Sequence, residues 1–190
     1  MNRTVRRALG VAACTLALSA TTAAAHADTQ THRDPRGDVA TLPAARAQST
    51  VDIVRSVNRY EGDTLRLAVT TANLAEAGYG AQWAVRADGG EYIAGYDATQ
   101  EMPQVYFFET SWPGGGRGVL CQGVTGKANE AKDTVVVTVP AACLGDSDTV
   151  RIGATMTRPG AQRTRIDDAR RDGFPEGAMH GKYGPVLARG

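Results

Sequence analysis

No run of eighteen apolar residues occurs beyond the N-terminus of this chain and no heptad repeat is present, so the sequence offers neither a membrane-spanning helix nor a coiled coil as its organising element. Gly 22 and Pro 8 in 190 residues are too few for a collagen-like or low-complexity chain. Charge is scarce as well: 22% charged residues with a formal net charge of +1 describe one ordinary globular domain, not a multidomain enzyme. Histidine, lysine and cysteine occur three times each. The lysine shortage, beside abundant alanine and glycine, reads as a GC-rich bacterial coding sequence. Catalytic signatures are missing too. There is no Gly-x-Ser-x-Gly elbow, and the glycines Gly114-Gly115-Gly116 are not followed by the Gly-Lys-Ser/Thr that a nucleotide-cradling loop requires.

What is present begins with a leader. Arg3, Arg6 and Arg7 precede the short apolar run from Ala8 to Ala20, and Ala25-His26-Ala27 places small residues where a signal peptidase reads them. Residues 1–27 are therefore expected to be a secretory signal peptide. Val11-Ala12-Ala13-Cys14 loosely resembles a lipoprotein box, but the apolar run continues past the cysteine. Arg6-Arg7 matches a twin-arginine signal poorly at its flanks. Cleavage after Ala27 leaves 163 residues with 18 basic and 20 acidic side chains, near −2. No basic stripe survives to neutralise phosphates, which argues against a nucleic-acid partner, and no membrane attachment is expected once the leader is gone. Cys121 and Cys143 remain as an even pair in an oxidising compartment and are expected to form a disulfide.

Residues 28–48 are polar, contain Pro35 and Pro43, and are expected to be an extended arm. Strand patterns follow over residues 49–165. Leu65, Leu67 and Val69 alternate with Arg66, Ala68 and Thr70, and the runs Val51 to Tyr60 and Thr64 to Leu74 flank a turn at Glu61-Gly62-Asp63. Gln82 to Ala87 and Glu91 to Tyr96 flank Asp88-Gly89-Gly90. Gln104 to Phe108, Val119 to Val124, Thr134 to Val139 and Thr149 to Met156 complete the set, with Pro140 to Leu144 expected to form one helical turn carrying Cys143. Seven to nine short strands without an amphipathic helix predict an all-β fold, an antiparallel β-sandwich of jelly-roll or immunoglobulin type. Residues 166–190 show no strand pattern and are expected to be irregular.

Two constellations carry candidate chemistry. Asp34, Asp38, Asp52, Asp167 and Asp168 offer the oxygen donors that a hard cation such as calcium requires, and Gly37 allows the turn that would bring Asp34 and Asp38 to one ion. The alternative is that these carboxylates cap turns or pair with Arg33, Arg36, Arg165, Arg170 and Arg171 on a solvated surface. Eight of the eleven aromatic residues, among them Trp83, Tyr92, Tyr96 and Trp112, fall between Tyr79 and Trp112. Either some of these rings form an exposed platform for sugars, or they fill the sandwich core. Tyr106, Phe107 and Phe108 are consecutive, so they must point to both faces of their strand.

These residues carry a resemblance. Asp34-Pro35-Arg36-Gly37-Asp38, then Asp52-Ile53, then Val137-Thr138-Val139-Pro140-Ala141-Ala142-Cys143-Leu144-Gly145 running into Val150-Arg151-Ile152-Gly153-Ala154, then Asp167-Asp168-Ala169, look like a group of small secreted actinobacterial proteins of unknown function. More distantly, the early Asp-x-x-Gly-Asp loop before a run of strands resembles DOMON-like and family-nine carbohydrate-binding sandwiches. That resemblance implies a jelly-roll sandwich with a structural calcium near its N-terminal loop, and sugar or haem on a sheet face. The haem ligands of that group cannot be placed here, since neither His32 nor His180 falls in an expected strand and Met102 and Met156 have no matched partner. The expected function is a secreted, non-catalytic binding module, calcium-stabilised, with a polysaccharide or cell-wall component as partner. The alternative is a secreted carbohydrate-active hydrolase using two of Glu91, Glu101 and Glu109.

Overall fold

The computed structural model describes residues 28–42, 45–46, 51–74, 78–110, 117–118, 121–161, 164–172, 174–175, 178 and 180–190. The expected signal peptide and Trp112 lie outside these residues. The first strands are β1 (Asp28–Arg33), β2 (Ala40–Leu42), β3 (Ala45–Arg46), β4 (Ile53–Glu61), β5 (Thr64–Thr71), β6 (Gly80–Ala87) and β7 (Gly90–Asp97). They are followed by β8 (Gln104–Glu109), β9 (Arg117–Gly118), β10 (Thr125–Asn129), β11 (Thr134–Pro140), β12 (Thr149–Arg158), β13 (Thr164–Asp168) and β14 (Val186–Ala188). No helix among the described residues is long and apolar enough to cross a membrane.

The strands form two antiparallel sheets, the all-β sandwich that their alternation predicts. One sheet has the order β1-β4-β5-β11-β10, and the other has the order β3-β2-β13-β12-β6-β7-β8-β9 with β14 also paired to β12. Period-2 patterning sends one face of each strand inward. Leu65, Leu67 and Val69 of β5 lie beside Val139, Val137 and Val135 of β11 in register, and all six are buried. In the other sheet, Val85, Trp83 and Ala81 of β6 match Ile152, Ala154 and Met156 of β12. These residues belong to one buried cluster. Each large apolar side chain removed from water there contributes about 1.5–3 kcal/mol.

Several sequence expectations shift. Within the stretch 28–48, expected as an arm, the described residues 28–42 and 45–46 contribute to both sheets: β1 pairs with β4, whereas β2 pairs with β13 in the opposite sheet. The loop between β1 and β2 therefore crosses from one layer to the other. The segment 166–190, expected as irregular, supplies most of β13 and all of β14. Both pair with β12, whose ten residues offer a ready template. Strands of five and three residues are too short to show a period, and pairing with a neighbour decides them. Between β13 and β14 the chain lies close against β12. The Gly184 N–H donates to the Ile152 carbonyl at 2.8 Å, and a Cβ on Gly153 would sit 2.4 Å from the Gly181 carbonyl oxygen, so Gly153 must stay bare.

Of the strand expected over 119–124, residues 119–120 lie outside the described residues and 121–124 are not in a strand. Gln122 and Gly123 form a turn, and the strand there begins only at Thr125. Two short 3-10 turns are present among the described residues, Glu130–Lys132 and Ala141–Leu144. Cys121 thus sits in a loop ahead of β10, and Cys143 sits in the second of these turns. The two are joined in a disulfide with Cα atoms 5.7 Å apart.

Candidate functional site

The interlayer loop brings the acidic residues together. Asp34 follows β1, and its N–H donates to the Val54 carbonyl at 3.2 Å. Gly37 has φ +79, a conformation glycine adopts without steric cost, and it aims its N–H at the Asp52 carboxylate, 2.9 Å away. Asp38 then precedes the strand that joins the second sheet. From that sheet, the Asp167 Oδ2 accepts the Ile53 N–H at 2.6 Å, so one carboxylate ties β13 to the start of β4.

The resulting corner contains five buried carboxyl groups: Asp34, Asp38, Asp52, Asp167 and Asp168 are each exposed by no more than 8%. Oxygens of Asp34, Asp38 and Asp167 all lie within 4.8 Å of one another. Among the described residues, neither Asp34 oxygen has a hydrogen-bond partner, and the same holds for the Asp52 Oδ1. Burial, followed by the charges of Asp167, Asp38, Asp168 and Asp52, pushes the Asp34 carboxyl up to about 8. Burial also raises Asp167 to about 7, against the pull of the Ile53 N–H, with Asp38 and Asp52 adding to the rise. Burial raises Asp52 as well, and the Gly37 N–H offsets part of that. A buried carboxylate without a donor is costly, and several at one point repel one another.

Asp168 differs from its neighbour. Successive side chains of a strand point to opposite faces, and Asp168 accepts the N–H groups of Arg170 at 3.1 Å and Lys182 at 2.9 Å. The Arg171 guanidinium lies 3.3 Å from it. Asp168 is thus an internal anchor for the C-terminal segment, not a fourth member of the triad. Arg170, which the sequence suggests as a surface partner, is half-buried and donates to the Gln30 Oε1 at 2.8 Å. Sequence reasoning misses this contact because 140 residues separate the two.

Oxygen donors without nitrogen or sulfur favour calcium or magnesium over zinc or copper. The oxygens of Asp34, Asp38 and Asp167, all within 4.8 Å of one another, lie close enough to share one hard cation. Calcium, at about 2.3–2.6 Å, accepts irregular oxygen sets, whereas magnesium, at about 2.0–2.1 Å, demands near-octahedral geometry and keeps several waters. Asp34, Asp38 and Asp167 are the residues that would hold the ion, with Asp52 at their side.

The proposed sugar-binding residues fall elsewhere. Trp83 is fully buried, and Tyr92 and Tyr96 are each 8% exposed within the core cluster. Their rings fill the space between the sheets, because inward positions of β6 and β7 need volume there. Phe107 joins them, stacked on Tyr92 with centroids 5.4 Å apart. Tyr106 and Phe108 alternate to the opposite face, where they are half-buried and stack on each other at 5.9 Å. Of the three glutamates, Glu91 pairs with Arg86, whereas Glu109 lies opposite Tyr92. Strand alternation therefore puts Glu91 and Glu109 on different faces of their sheet.

No protein-family model matches the chain, and no curated protein matches its sequence at a significant level.

Proposed function

We propose that this chain is an exported binding module whose β-sandwich is completed by one calcium ion held by Asp34, Asp38 and Asp167. The observation that carries this reading is Asp34: it is 92% buried, inside a group of like charges, and both of its carboxylate oxygens lack a protein donor. A divalent cation supplies the missing partner for these oxygens and offsets the mutual repulsion. It also links the loop between β1 and β2 to the end of β13, so its role is structural: it fastens the crossing between the two sheets. The calcium that the carbohydrate-binding resemblance implies near the N-terminal loop agrees with this position.

The proposed partner class is a polysaccharide or cell-wall component. Among the described residues, the Tyr106 and Phe108 rings are better placed for such a surface than the buried Trp83. An outward face with stacked rings and no facing pair of strand glutamates supports a binding role over the hydrolase alternative. Incubation with insoluble polysaccharides, measuring both depletion from solution and release of reducing sugar, separates the two. Depletion without product is expected.

The calcium claim is tested by thermal unfolding in calcium, magnesium and a chelator, with calorimetric titration alongside. At a hundredfold excess over Kd, calcium contributes about 2.7 kcal/mol, and a domain of this size gains roughly 2–4 °C per kcal/mol. A rise of roughly 5–10 °C is expected in calcium, with a smaller one in magnesium. Identical melts in calcium and chelator, with no heat of binding, would overturn the assignment.

A further inference from the structure

An open cavity of about 430 Å³ lies where the β6 and β7 ends meet the loop after β7, and none of the five aspartates lines it. Tyr79 and Tyr96 form its inner wall, their rings 6.5 Å apart and inclined by 25°. Gln100, Glu101, Pro103 and Glu130 form the rim. No lysine or arginine lines the cavity, and among the described residues neither Glu101 nor Glu130 has an ion-pair partner. Burial, then Tyr96 and the Glu130 charge, raise the Tyr79 phenol to about 12, so it stays neutral and available as a donor. Neither Tyr79 nor Tyr96 donates its hydroxyl to another described residue.

Two carboxylates without counter-charge, beside tyrosine rings whose faces are electron-rich, make a site for a positively charged ligand. Its size suits a compact molecule, since small-ligand sites are typically about 300–1,000 Å³. We infer that this cavity receives a small organic ammonium ion, with its charge toward Glu101 and Glu130 and its body against Tyr79 and Tyr96. An amino sugar with a free amine and a quaternary ammonium compound both present this chemistry. The inference does not depend on the calcium site.

The test uses the mature protein in saturating calcium, so that the aspartate corner is satisfied before ligand is added. Glucosamine is compared with neutral N-acetylglucosamine, and choline with its uncharged carbon analogue 3,3-dimethylbutanol, by calorimetry and by tyrosine NMR shifts. At least one charged probe is expected to bind saturably and about tenfold more tightly than its neutral counterpart. The better charged probe distinguishes the amino-sugar source from the quaternary one. Glu101→Gln and Glu130→Gln change exposed rim residues, so each is expected to leave the melt unchanged and to weaken binding severalfold. Equal binding of charged and neutral members, no saturable binding of either charged probe, or full binding in both variants overturns the inference.

Discussion

The β5 strand runs between two corners that are fastened in different ways. Its first residue, Thr64, pairs with Pro140, next to the 3-10 turn that carries Cys143. Its last, Thr71, pairs with Ile53, whose N–H is held by Asp167. At the first corner the chain completes its own fastening with a covalent bond between Cys121 and Cys143. At the second it brings five carboxyl groups together and leaves both oxygens of Asp34 without a donor. A cross-link of sulfur atoms is complete once formed, whereas a cluster of like charges is complete only with an external cation or protons. The disulfide corner should therefore be insensitive to ionic conditions, and the acid corner should respond to them strongly.

The largest effect expected from breaking this comparison comes at the covalent corner. Cys121→Ser together with Cys143→Ser releases a 22-residue separation and should cost about 3 kcal/mol, or roughly 10 °C in Tm. The loss should be the same in calcium and in chelator. A loss that appears only in chelator would mean that the two corners are coupled, and the contrast between them would fail.

Asp34→Asn should separate the two costs at the acid corner. At pH 8, where the Asp34 carboxyl is substantially ionised, removing this buried like charge is expected to raise the Tm of the cation-free protein by a few degrees, while the calcium-induced rise disappears. A variant that keeps the full calcium shift would remove Asp34 from the ligand set. Asp38→Asn should likewise abolish the calcium shift.

A smaller, pH-dependent effect follows from the same group. Asp34 and Asp167 ionise at about 8 and about 7 in the folded chain and at about 4 when unfolded. The cation-free fold therefore binds more protons than the unfolded chain between those values, and it loses stability as pH rises from about 4 to about 8. Burial and the nearby Arg170 lower His32, which acts in the opposite sense and costs stability below its ordinary 6.5. In chelator, Tm measured at pH 5, 6.5 and 8 should fall over the upper part of that range. Calcium should reverse the fall, with its largest benefit at pH 8. Asp34→Asn should flatten the chelator profile. A cation-free Tm that rises steadily to pH 8 would contradict the raised carboxyl groups.

Much of the fold was legible because it depends on local alternation. Leu65, Leu67 and Val69 announce an inward face that any register preserves, and Val150, Ile152 and Ala154 do the same for β12. The Tyr106-Phe107-Phe108 run required rings on both faces, and Phe107 does turn inward while Tyr106 and Phe108 stack outside. The aspartates were legible as a set, but their division was not. Asp167 and Asp168 are adjacent and chemically identical, and only strand orientation sends one to Ile53 and the other to Arg170 and Lys182. Trp83 and Tyr96 could equally have served a surface, because hydrophobicity does not reveal which side of a sheet meets a second layer.

The alternating strands, the even cysteine pair and the acidic character of the loop with Gly37 follow from residue type and nearest-neighbour spacing alone. Tertiary structure decided that the first and last segments of the described chain belong to the sheets, that Asp34, Asp38 and Asp167 converge, and that Glu101 and Glu130 share a cavity with two tyrosines. The physical reason is separation along the chain. The carboxylates of Asp34 and Asp167 have no local property that relates them. Packing one sheet on the other forces them into the same few ångströms, where no donor among the described residues reaches either Asp34 oxygen.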